Sequence, residues 1–125
     1  MAHYLLSAEA QFSAAHTLPG VDMCERMHGH NWRVRLTVRV EEAGLDASGM
    51  GVDFRTIEQL AGRLVADWEH RYLNDLEPFT THPPTAEFMA RIFAERAQAQ
   101  LAGEAATVEE VELWEMPQYR VVYRP

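Results

Sequence analysis

The stretch CERMHGHNW, residues 24–32, sets the one cysteine of this chain four residues ahead of a His-Gly-His pair. Cys24, His28 and His30 are side chains that ligate metals or move protons, and a third histidine, His16, stands upstream. Residues two apart in an extended segment project to the same side, so His28 and His30 can grip one ion together, with Gly29 leaving room between them. Three neutral imidazoles make a zinc site whose fourth position stays open to water or substrate, whereas adding the thiol closes it into a structural Cys-His3 site. The residue types alone leave both arrangements open.

Two further groups carry chemistry. Glu69 and His70 are adjacent, and a carboxylate beside an imidazole can orient the ring and hold its proton; the plain alternative is a solvated surface pair. Glu115 shares the strand parity of Val111 and Leu113, where a carboxylate needs a partner or an edge position that reaches water.

These residues require elements that bring them together. From Tyr4 the chain alternates, with Tyr4, Leu6, Ala8, Ala10 and Phe12 on one side, which predicts a strand ending near His16. Residues 32–41, WRVRLTVRVE, alternate more strongly: Trp32, Val34, Leu36, Val38 and Val40 face one way and Arg33, Arg35, Thr37 and Arg39 the other, as in a half-buried antiparallel strand. Pairing of the two strands carries His16 toward His28 and His30. EEAGLDASGM reads as a turn. Asp53 is a cap for a helix with an inner face of Phe54, Ile57, Leu60, Ala61, Leu64, Val65 and Trp68, ending near Glu69 or His70. Thr85 caps a second helix with Phe88, Met89, Ile92, Phe93, Ala97 and Leu101 inside, ended by Gly103. TVEEVELWE and QYRVVYR form a terminal hairpin around Met116-Pro117, the first strand alternating imperfectly. The order ββααββ predicts an α+β fold, a four-stranded antiparallel sheet with two helices on one face. Its two edges need covering, and edge-to-edge joining in an oligomeric barrel would supply that.

At 125 residues the chain has the size of one domain, residues 1–125. A formal net charge of -8 without a basic run argues against nucleic acid as a general partner. No segment approaches the roughly 20 apolar residues that span a bilayer, so no membrane partner is expected. The opening MAHYLLSAEAQF lacks a basic flank and a long apolar stretch, and a single cysteine forms no internal disulfide, so the expected address is cytoplasmic. All eleven cationic side chains are arginine, which suits phosphate but also follows from genome composition.

FSAAHTLPG, CERMHGHNW, GVDF, EHRYLND, PPTAE and ELWE, taken in order, resemble the 6-pyruvoyltetrahydropterin synthase family over nearly the whole chain, and within it the bacterial 6-carboxy-5,6,7,8-tetrahydropterin synthase branch, which the short Cys-x3-His spacing favours. The resemblance implies a tunnelling fold in which trimers close a barrel and two trimers stack into a homohexamer. It implies Zn2+ on His16, His28 and His30, Cys24 as the catalytic thiol, a Glu69–His70 dyad, and Glu115 holding the pterin ring. The implied substrate is 7,8-dihydroneopterin triphosphate, converted to 6-carboxy-5,6,7,8-tetrahydropterin with loss of triphosphate and acetaldehyde, toward queuosine and related deazapurines. The pyruvoyl activity, which eliminates triphosphate alone, is the runner-up within the family, and a non-catalytic Cys-His3 module is the alternative outside it. One departure stands out: the family pattern has aspartate where this chain has Glu69, a carboxylate reaching further by about one carbon–carbon bond, ~1.5 Å. Arg26 and Arg71 are the candidates for the triphosphate.

Overall fold

Alternating apolar residues give this chain its sheet. In the computed structural model β1 (His3–His16) and β2 (His28–Glu41) pair antiparallel along their full length, from His3 opposite Glu41 to His16 opposite His28. β3 (Thr107–Met116) pairs with β2, and β4 (Tyr119–Tyr123) with β3, giving the order β1-β2-β3-β4. The structure describes the backbone of all 125 residues and every side chain except those of Asp22 and Met23.

The even-numbered residues of β2 from Trp32 to Val40 are all buried, as their period of two requires. They face α1 (Phe54–Ala66), which packs chiefly on β1, and α2 (Ala86–Gln100), which packs on β3 and β4. Asp53 caps α1 by accepting from the Arg55 amide at 2.8 Å, and Thr85 caps α2 by accepting from the Phe88 amide at 3.1 Å. The opposite sheet face carries an ion-pair belt. Glu9 accepts from Arg33 and Arg35, Glu112 accepts from Arg35 and Arg120, and the Arg33 guanidinium lies 4.2 Å from the Trp114 ring centroid.

Four details depart from the sequence expectation. β2 begins at His28 and not at Trp32, because His28 and His30 continue its pairing with β1. α1 ends at Ala66, earlier than Glu69 or His70; Trp68 is buried at helical phase, but its amide already bonds the Val65 carbonyl in a tighter turn. Phe54 is 62% exposed because it opens the helix beyond the sheet's cover, and on α2 Ala90 and Ala94 take the buried places expected of Phe88 and Ile92, which are only partly buried. The imperfect alternation of β3 is a bulge: Thr37 faces Glu110 while Val38 faces Val108, so Glu109 is the extra residue and both Val108 and Val111 point inward.

One end of the β1 edge is covered. Residues 69–74 run beside residues 13–17, the His70 amide donating to the Ser13 carbonyl at 2.6 Å and the Ala15 amide to the Arg71 carbonyl at 3.0 Å, with a parallel bridge between Ala15 and Tyr72.

Candidate metal centre

His28 and His30 keep the inward parity of Trp32, and in the register of β1 with β2 His16 stands opposite His28 and Ala14 opposite His30. Glu115 follows Val111 and Leu113 on the inward face of β3. The four side chains therefore extend the core layer past the apolar residues at one end of the sheet. Their ligand atoms all lie within 4.8 Å of one another, and among the described residues this is the group able to hold a metal ion.

Carbonyl groups fix the imidazoles. His16 Nδ1 lies 3.0 Å from the Pro84 carbonyl oxygen, and His28 Nδ1 lies 2.7 Å from that of Arg26. A carbonyl can only accept, so in each ring Nδ1 carries the proton that it receives, and Nε2 is the nitrogen turned toward the other ligands. Trp32 braces the group by standing edge-on to His16 and His30, with ring centroids 5.1 and 5.3 Å away, while its indole N–H donates to the Ala14 carbonyl.

The electrostatics call for a cation. Glu115 Oε1 lies 3.0 Å from His30 Nε2 and 3.3 Å from His16 Nε2, yet both buried nitrogens are left without a hydrogen-bond partner. Burial pushes the His16 and His30 imidazoles below their ordinary range; Glu115 pulls against this shift and His28 adds to it. Three imidazoles and a carboxylate whose ligand atoms gather around one point are a donor set that fits a divalent ion such as zinc.

The other expected residues stand outside this group. Cys24 lies in a short 3-10 turn, Asp22–Glu25, with its thiol half-buried and not among the four clustered ligands. Glu69 and His70 do form a pair, Oε1 to Nε2 at 2.9 Å, and His70 is 80% exposed with a φ of 58°. That left-handed backbone lets the chain leave α1 and turn onto the β1 edge while the imidazole points outward. His70 and Arg71 line a cavity of about 480 Å3 with Ser13, Gly29, Asn31 and Tyr72. Glu115 reaches a second cavity, of about 270 Å3, shared with Glu87, Tyr119 and Arg120.

Residues 5–125 match the family described as 6-pyruvoyl tetrahydropterin synthase. The chain belongs to that family. A Bacillus subtilis relative named 6-carboxy-5,6,7,8-tetrahydropterin synthase is 34% identical over 128 positions, covering 96% of this chain and 84% of the relative. A Synechocystis relative of the same name is 35% identical over 106 residues, covering 80% of each. The tunnelling fold is that of Caenorhabditis elegans 6-pyruvoyl tetrahydropterin synthase, which superimposes with a TM-score of 0.86 at 24% identity, covering 100% of this chain and 97% of that one.

Sequence reasoning missed the contacts that hold these histidines and the strand end beside them. The Pro84 carbonyl belongs to PPTAE, whose only legible signal is the Thr85 cap, and a backbone acceptor 68 residues from His16 leaves no mark in composition. Asn74, in EHRYLND, accepts from the Thr17 amide at 2.9 Å and donates to the Thr17 carbonyl at 3.0 Å.

Proposed function

We propose that this chain is a zinc-dependent pterin synthase of the 6-carboxytetrahydropterin type, acting as one domain and converting 7,8-dihydroneopterin triphosphate to 6-carboxy-5,6,7,8-tetrahydropterin, triphosphate and acetaldehyde. The observation that carries the metal part is the pair of buried, unbonded Nε2 atoms of His16 and His30, gathered with His28 and Glu115. The relatives' printed names support the carboxy branch over the pyruvoyl one.

Zinc held by His16, His28 and His30 would supply Lewis-acid polarisation of oxygens on the substrate side chain. Cys24 is the base for the carbon-bound proton. His70, oriented by Glu69 at 2.9 Å, moves a proton at the other end of the shifting enol system. The longer reach of Glu69 over aspartate does not prevent that contact. Glu115 has two tasks open to it: its carboxylate stands beside the imidazoles and also lines the cavity with Glu87 and Tyr119, where it can accept from the paired N–H donors of a pterin edge. The β4 edge and the part of the β1 edge that residues 69–74 leave uncovered suit closure into a barrel with further copies, as the homohexamer requires. Queuosine biosynthesis and a cytoplasmic address accompany this reading.

The test is product analysis. Purified zinc-loaded protein given 7,8-dihydroneopterin triphosphate is expected to release acetaldehyde with 6-carboxytetrahydropterin; a pyruvoyl product without acetaldehyde moves the chain to the other branch, and no turnover overturns the enzymatic reading.

A further inference from the structure

His16 is the last residue of β1, and its ring is buried and aimed at the other three ligands. A strand end normally frays, since the next residue has no ladder partner. Thr17 is held nevertheless. Its amide donates to Asn74 Oδ1 at 2.9 Å, its carbonyl accepts from Asn74 Nδ2 at 3.0 Å, and its hydroxyl lies 2.9 Å from the Tyr72 hydroxyl. The Asn74 side-chain amide thus does for Thr17 what a neighbouring peptide group would do, and continues the bonding that begins at Ser13 and Ala15 by one more residue. Its own position is set by Leu73, which is fully buried, and by the Asp75 amide bonding back to the Tyr72 carbonyl.

From this geometry we infer that Asn74 is a positioning residue for the metal centre, acting through Thr17 on His16. The inference rests on the metal reading above. Without Asn74 the ring of His16 keeps its Pro84 contact and its strand partner His28, but the Thr17 amide and carbonyl lose their partner, leaving the Thr17 hydroxyl on Tyr72 and the Leu18 amide on the Cys24 carbonyl as the remaining ties of the following backbone. A ligand set must be held to about 0.5 Å to keep its affinity, and losing a partner that orients a ligand commonly weakens metal binding 10–100-fold. The same segment carries Glu69 and His70, so one strap fixes a metal ligand and the carboxylate–imidazole pair to the same stretch of β1.

The experiment compares wild type, Asn74→Ala and Asn74→Asp. Asn74→Asp is the second variant because it keeps the acceptor for the Thr17 amide and replaces the donor by a carboxylate oxygen facing the Thr17 carbonyl, so it disturbs the carbonyl side alone where alanine removes both bonds. Zinc affinity is measured by chelator competition, and the visible ligand-field spectrum of the cobalt(II)-loaded protein is recorded, with circular dichroism as a check of folding. The expected result is a zinc affinity at least about tenfold weaker in a folded variant together with displaced cobalt bands, which a general loss of stability would not move. A folded variant with zinc affinity within about twofold of wild type and an unchanged cobalt spectrum overturns the inference while leaving the metal reading intact. A wild-type protein that binds neither metal overturns both.

Discussion

Replacing Glu115 by glutamine changes one oxygen to an amide nitrogen in a side chain of the same shape. Wild-type Oε1 lies 3.0 and 3.3 Å from two buried imidazole nitrogens that lack a hydrogen bond, and the proton on His16 Nδ1 makes that ring's Nε2 an acceptor. A carboxylate cannot donate to it, but an amide N–H can. A buried acceptor left unsatisfied costs ~1–3 kcal/mol; because Glu115 is 25% exposed at its side chain, the low end applies, and Glu115→Gln should stabilise the metal-free protein by about 1 kcal/mol. For a chain of this length that raises Tm by about 3–5 °C, read by scanning calorimetry after chelator treatment. The same variant should bind pterin poorly. Losing a charged acceptor forfeits ~1.5–3 kcal/mol, or about tenfold to a hundredfold in Kd, measured by calorimetric titration with a pterin lacking the triphosphate. An unchanged or lowered Tm in the metal-free variant would refute the placement of this carboxylate against the imidazoles. An unchanged Kd would show that the ring is held elsewhere.

Cys24→Ala should keep its zinc and its fold while turnover falls ~10²–10⁴-fold, as for loss of a general base; loss of metal in that variant would instead favour the Cys-His3 arrangement. Burial holds the folded His16 and His30 imidazoles below the ordinary value of 6.5, so the unfolded chain binds more protons, and metal-free protein should lose stability as pH falls below about 6.5 in urea titrations. Glu9 behaves in the same direction at lower pH. Its hydrogen bond from Arg33, with Arg35 beside it, lowers the carboxyl from 4.5 to about 2, giving stability that is full above about 4.5 and lost as pH falls toward about 2; Glu9→Gln should flatten that part of the curve. Leu36→Ala, at a fully buried site in the middle of β2, should cost ~2–5 kcal/mol in denaturant unfolding.

Periodicity made the sheet legible and left much of its detail hidden. Trp32 to Val40 alternate without interruption, and that run alone sets the inner face of β2 and carries His28 and His30 onto it. The Glu109 bulge is illegible because Val108 and Val111, three apart, suit a helix as well as a strand with an extra residue. Trp68 misled for a related reason: it falls at helical phase after Leu64 and Val65 and is buried, although the backbone has already left the helix. For the site, spacing brings His28 and His30 together, and strand pairing adds His16. What it does not contain is contact between distant backbone and side-chain groups, such as the Pro84 carbonyl on His16 or Asn74 on Thr17, because apolar patterns report burial and not hydrogen-bond direction. The separation of Cys24 from the clustered ligands is of the same kind, since residues four apart in a turn are near in sequence whichever way the thiol points.

X-ray absorption at the zinc edge of the purified protein tests the account most directly. Three imidazoles with oxygen completing the shell should give one zinc per chain and only nitrogen and oxygen neighbours at ~2.0–2.2 Å, with the signal lost in a His28→Ala, His30→Ala double variant. A sulfur neighbour at ~2.3 Å, or stoichiometric zinc retained by that double variant, would contradict it.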